Sequence, residues 1–172
     1  MKTEIYEKLE RLYQKFGARE FGKICQKFLA IAFKKAGFKY AAESERGVQG
    51  IDIGEAVRGN EKYSIEVKTT RLNTVQYGLK DEMALLNQKS KGFQPVLAVL
   101  KLDRFSSWFF VRADNLKHGS IFIDRLRAYR LHELENEISR FFDEVINEHF
   151  ENTLREGQSY LDRVLKQMWE KV

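Results

Sequence analysis

The chain has 172 residues, of which 43% are apolar and 32% charged, and it carries a net charge of +5. That is globular composition, long enough for one full core with an appendage, and it excludes wholesale disorder. No segment approaches the roughly 18 uninterrupted apolar residues of a membrane span, and the N-terminus MKTEIYEKLERLYQKFG lacks the apolar centre of a signal peptide, so a soluble, cytoplasmic protein is expected.

Residues 3–16 read as an amphipathic helix with Ile5, Leu9, Leu12 and Phe16 at helical spacing, ended by Gly17. Residues 19–36 read as a second helix whose apolar face is Phe21, Ile24, Cys25, Phe28, Leu29, Ala32 and Phe33, with Gly37 as its C-terminal stop. The period then changes to that of strands. FKYAAE (38–43) is followed by a polar loop, SERGVQG, and then by IDIGEAV (51–57) and KYSIEVKT (62–69), joined by a hairpin turn at Gly59-Asn60. A helix over 78–92 carries Leu79, Met83 and Leu86, and PVLAVLKL (95–102) has the continuous apolar run of a central strand. SSWFFVRA (106–113) is a further strand, in which Trp108, Phe109 and Phe110 read as packing residues, and IFI (121–123) is a short extended piece. About forty helical residues complete the chain, with a break at Gly157. The order predicts a mixed α/β sheet flanked by helices.

Cys25 is the only cysteine, so an intrachain disulfide and a cysteine-based zinc cluster are excluded, and its place in a helical stripe marks it as a buried thiol. His118, His132 and His149 are scattered, with no closely spaced ligand pair, which argues against zinc. Charge is unevenly placed. Residues 1–130 hold 25 Lys/Arg against 15 Asp/Glu, whereas residues 131–172 hold 5 against 10. A basic body attracts polyanions by releasing their counterions, and an acidic tail does not.

Three residues carry the candidate chemistry. Glu66 and Lys68 are two apart on a strand, so they share a face at roughly 6–7 Å between Cα atoms. Asp52, between Ile51 and Ile53, projects away from the apolar side of its own strand and can approach Glu66 across the hairpin. Glu66-Val67-Lys68 is the only E-x-K triplet in the chain. Two readings remain open on spacing alone. One is a solvated, salt-bridged hairpin. The other is a site for Mg²⁺ or Mn²⁺, because two converging carboxylates need a cation between them and hard cations take oxygen ligands.

GIDIGEAV followed by a hairpin and YSIEVKTT resembles the core of the PD-(D/E)XK nucleases, most of all that of archaeal Holliday junction resolvases and Mrr-type restriction endonucleases. The resemblance covers residues 17–113 and implies a restriction-endonuclease-like αβββαβ fold. It implies an Mg²⁺ (or Mn²⁺) site formed by Asp52, Glu66 and the Val67 carbonyl, with Lys68 as catalytic lysine and a 5′-phosphate product. Ile51 stands where the motif name has proline. Gln26, counted back from Gly37, stands where the family's first helix carries a glutamate, so a neutral amide replaces an acid. Ser44 matches the loop serine of the resolvases. On this reading residues 1–130 form the nuclease-like domain, and double-stranded or branched DNA is the partner.

Around the site, Arg46, Arg58, Lys62, Arg71, Lys80, Lys89 and Lys91 form a candidate phosphate track, and Gln76 and Tyr77 candidate backbone or base contacts. Residues 131–172 read as an antiparallel helix pair that either caps the domain's own sheet or forms a homodimer interface. Two alternatives to a nuclease remain from the sequence. One is a non-catalytic nucleic-acid-binding or assembly subunit on the same scaffold, and the other is a basic α/β protein whose acids pair with lysines.

Overall fold

The structure, a computed structural model, describes residues 2–40, 51–104 and 108–170. Helix α1 (Thr3–Lys35) runs through both helices expected at the N-terminus, and Gly17 (φ 82°, ψ 167°) is the non-helical link between them. Only glycine takes that backbone without strain. The strands are β1 (Lys39–Tyr40), β2 (Ile53–Arg58), β3 (Glu61–Thr70), β4 (Thr74–Tyr77), β5 (Gln94–Lys101), β6 (Trp108–Arg112) and β7 (Gly119–Phe122). Five of them form one sheet in the order β1-β2-β3-β5-β6, in which only β3 and β5 run parallel. The connection between those two is helix α2 (Leu79–Ser90), the crossover a parallel pair requires. β4 and β7 pair as a separate two-stranded ribbon, and a 3-10 helix (Ile123–Tyr129) leads to α3 (His132–Glu156) and α4 (Gln158–Glu170). The ribbon and the 3-10 helix were not expected from the sequence. The mixed sheet between helical layers was.

Each face of the sheet has its own core. On one, Ile53, Ile65, Val67, Val96, Ala98, Leu100, Trp108 and Phe110 pack with the buried residues of α1 and with Leu134, Ile138, Phe142, Val145, Ile146, Phe150 and Leu161 from the C-terminal helices. These buried apolar positions of α3 and α4 therefore pack against α1 of the same chain. Trp108 and Phe110 are core residues, and Phe142 meets the Trp108 ring edge-on at 5.3 Å. On the other face Leu97, Val99, Val111 and Ala113 pack with Leu85 of α2, with Val75 and Tyr77 of β4, and with Ile123 and Leu126.

Helix α2 is rotated relative to its apolar periodicity. Leu79, Met83 and Leu86 are exposed, whereas Glu82, Leu85 and Gln88 are buried. Polar anchors fix that orientation. Asp81 accepts the Gly78 N–H at 2.9 Å, and Glu82 accepts from the His118 backbone at 3.2 Å and meets its ring Nδ1 at 2.6 Å. Among the described residues no helix is long and apolar enough to cross a membrane.

Candidate metal and nucleic-acid site

β3 has unlike faces because its side chains alternate. Ile65 and Val67 enter the core against α1, so Glu66 and Lys68 lie on the α2 face, level with Leu97 and Val99 of the parallel neighbour. The antiparallel partner β2 pairs with β3 only from Ile53 onward, where Ile53 lies opposite Ile65, and a bulge between Ile53 and Ala56 shifts its register. Such bulges bend a strand and re-aim its end. Ser64, fully buried, ties the bulge down by donating to the Gly54 carbonyl at 2.5 Å.

Asp52 lies one residue before β2, in a bend, and not inside a strand as its spacing suggested. Ile51 packs in the α2-side core and Ile53 in the α1-side core, so the chain crosses from one face of the sheet to the other at Asp52. This carries the side chain back to β3, where Asp52 Oδ2 accepts the Val67 N–H at 2.8 Å. A carboxylate thus takes the place that a continuing β2 backbone would occupy. The N–H and C=O of one strand residue point to the same edge, so the Val67 carbonyl faces the Asp52 side too.

Glu66 is only 5% exposed, and its Oε2 has no hydrogen-bond donor among the described residues. Burial first, then the neighbouring Asp52 and Asp81 charges, push its carboxyl up to about 9. Asp52 remains exposed as a residue, but its carboxyl is turned inward, and burial there pushes it upward despite the Val67 bond. Both carboxyls of the pair are thus shifted toward their protonated forms, by burial first and, for Glu66, also by the charges of its acidic neighbours. Two acids in that state are a place for a cation, which would favour both charged forms and give Oε2 a partner. Among the described residues no three His, Cys, Asp or Glu side chains converge as a metal cage. Two carboxylates and a main-chain carbonyl, all oxygen, form the sparse donor set that hydrated Mg²⁺ takes. The residues fit that ion.

Lys68 Nζ stands 3.4 Å from Glu66 Oε1 and 2.9 Å from Asp81 Oδ2. Burial lowers its pKa, but the bond to Asp81 and the surrounding carboxylates outweigh burial and hold it above the usual lysine value. Lys68 is accordingly an ammonium. Asp81, in the first turn of α2, was missed by the sequence reading. The one local signal was an acid three residues after Gly78 at a helix start. Tyr77 is buried and its hydroxyl has no partner among the described residues; burial, then Glu82, Asp81 and Glu66, push that phenol upward.

The remaining expected site residues are dispersed. Gln26 is half-buried on α1, and no polar contact among the described residues joins it to Asp52, Glu66 or Lys68. Arg58 bonds Glu61, Glu137 and the Ala36 carbonyl and lies 4.3 Å over the Phe38 ring, which fastens β2 to α3. Arg71 pairs with Glu10 at 2.9 Å and stacks on Tyr13, so it is held on the α1 side. Gln76 is exposed on the ribbon and donates to Ser120 Oγ at 3.1 Å. Lys80 is exposed on α2, beside Asp81, with no ion pair among the described residues. Lys62 and Lys89 line an open cleft of about 620 Å³ with Tyr63, Phe93, Arg112 and Asp114, at the start of β3 and away from Glu66. Lys91 is exposed just past α2. Ser44 and Arg46 lie outside the described residues.

No protein-family model and no curated protein sequence matches this chain. Solved structures do match. One is the Holliday junction resolvase Hjc of Archaeoglobus fulgidus, similar over 67% of this chain and 95% of that one, with a TM-score of 0.52 at 20% identity. What the likeness shows is architecture: this chain has the restriction-endonuclease-like αβββαβ core, whose first helix is the part of α1 after Gly17, with the earlier part of α1 before it and α3 and α4 after it.

Proposed function

We propose that the protein is an Mg²⁺-dependent endonuclease that hydrolyses phosphodiester bonds in DNA, with branched or other structurally distinct DNA as its substrate. The observation that carries this reading is the meeting of Asp52, Glu66 and Lys68 around the α2 face of β3, with Asp52 bonded to Val67 N–H and Glu66 Oε2 buried without a donor among the described residues. Asp52, Glu66 and the Val67 carbonyl would hold the ion. A bound Mg²⁺ supplies Lewis-acid polarisation of the phosphate and a more acidic water. Lys68 presents an ammonium that stabilises charge gathering on the phosphate oxygens. Because Asp81 and Glu66 flank Lys68, it acts as a charge and proton donor and not as a base at neutral pH. The basic character of residues 1–130 supplies sequence-independent attraction to the backbone. A four-way junction has two equivalent strands to cut, so a junction-cutting form of this enzyme acts as a pair of copies.

Purified protein tested on four-way, nicked, duplex and single-stranded DNA with Mg²⁺ or Mn²⁺ decides the matter. Asp52→Ala and Lys68→Ala should each abolish metal-dependent cutting and leave the fold and DNA affinity in place. Cutting that is unchanged in either variant refutes the assignment. Gln26, an amide where resolvase-like sequences carry an acid, favours a second reading, a DNA-binding subunit without catalysis; it requires that no substrate be cut with either metal.

A further inference from the structure

Lys68 has two acidic neighbours, and the nearer one is not Glu66. Its ammonium lies 2.9 Å from Asp81 Oδ2 and 3.4 Å from Glu66 Oε1. Asp81 comes from another element, and the same Oδ2 accepts the Gly78 N–H at 2.9 Å, which fixes it to the start of α2. Its side chain is 16% exposed, so this is not a solvated surface pair of little consequence. Lys68 and Glu66 share one face of β3, two residues apart, and without Asp81 the anion closest to the ammonium would be Glu66. A lysine closed on Glu66 would occupy, as a tethered cation, the place where an incoming ion must bind.

We propose that Asp81 is a positioning residue for the metal centre: it draws the Lys68 ammonium toward α2, so that its shorter ion pair is with Asp81 and it does not close fully on Glu66. This rests on the reading of Asp52 and Glu66 as metal ligands. The arrangement leaves the lysine beside the site, where a phosphate would pass, and leaves Glu66 Oε2 open to the ion. It also ties the geometry of the centre to the first turn of α2, an element that supplies no metal ligand.

Asp81→Asn separates the roles of the residue, because the amide oxygen can still accept the Gly78 N–H while the charge that holds Lys68 is gone. Calorimetric titration of Mn²⁺ into the full chain, without DNA, is the readout. Asp81→Asn should weaken Mn²⁺ binding roughly tenfold when Lys68 is present, the scale on which one adjacent charge moves such an equilibrium. In a Lys68→Met background the same substitution should change binding less than about twofold, because no tethered cation remains to compete. Equal weakening in both backgrounds, or none in either, overturns the positioning role. Failure of the metal reading looks different: the chain with Asp81 intact then binds Mn²⁺ not at all, or binds it equally well as Asp52→Ala, and the proposal falls with that reading.

Discussion

Replacing Glu66 by glutamine exchanges one carboxyl oxygen for an amide nitrogen at a position only 5% exposed, and the amide can still donate toward Asp52. The fold holds the Glu66 proton to about pH 9, against 4.5 for an ordinary glutamate. Between those values the folded chain binds a proton that the unfolded chain has released, so stability falls as pH rises, by roughly 1.4 kcal/mol per unit. Asp52, also pushed upward, contributes in the same direction. The contribution is fully present below the unfolded value and is lost on the way to the folded one. At pH 7.5 the loss from Glu66 reaches about 4 kcal/mol. Glutamine does not titrate, so Glu66→Gln should be more stable than the parent at pH 7.5 by up to about 4 kcal/mol, or roughly 8–16 °C in Tm, and nearly equal to it at pH 4.5. Urea unfolding of both proteins from pH 4.5 to 8 measures this. Saturating Mn²⁺ should reverse the decline in the parent and leave the variant unchanged. Parallel pH curves for the two proteins would refute the claim that Glu66 is buried and protonated without metal.

Phe142→Ala should cost about 3–5 kcal/mol by urea unfolding, because its ring is buried against Trp108 and Phe28; a loss under about 1 kcal/mol would contradict the packing of α3 into the α1-side core. Lys80→Ala and Arg58→Met should separate by assay. Lys80 is exposed beside the site, so its removal should weaken DNA binding and reduce the salt dependence by about one ion without changing stability. Arg58 is held by Glu61 and Glu137, so its removal should lower stability and leave the salt dependence unchanged. The reverse pattern would place the DNA track on the other face of the sheet.

The strands and their unlike faces were legible in the sequence because alternation in YSIEVKTT and the apolar run of PVLAVLKL are local signals. Asp52 was expected beside β3 for a partly mistaken reason. Alternation placed it inside a strand, whereas it lies in a bend that depends on a bulge, and a bulge leaves no mark in the period of one strand. The apolar positions of α2 suggested an inward face of Leu79, Met83 and Leu86, but Glu82 and His118, far apart in sequence, set the helix the other way. Asp81 went unnoticed because its partner Lys68 lies thirteen residues away across a ribbon strand that the sequence did not announce. Arg58 and Arg71 looked like free surface cations because Glu137 and Glu10, which hold them, are distant along the chain.

Crystals of the chain soaked in Mn²⁺ and measured at the manganese absorption edge test the central claim most directly. The account predicts an anomalous peak between the Asp52 and Glu66 carboxylates, within coordination distance of the Val67 carbonyl, with the Lys68 ammonium still on Asp81. No peak there, with Glu66 still paired to Asp52 or closed on Lys68, would contradict it.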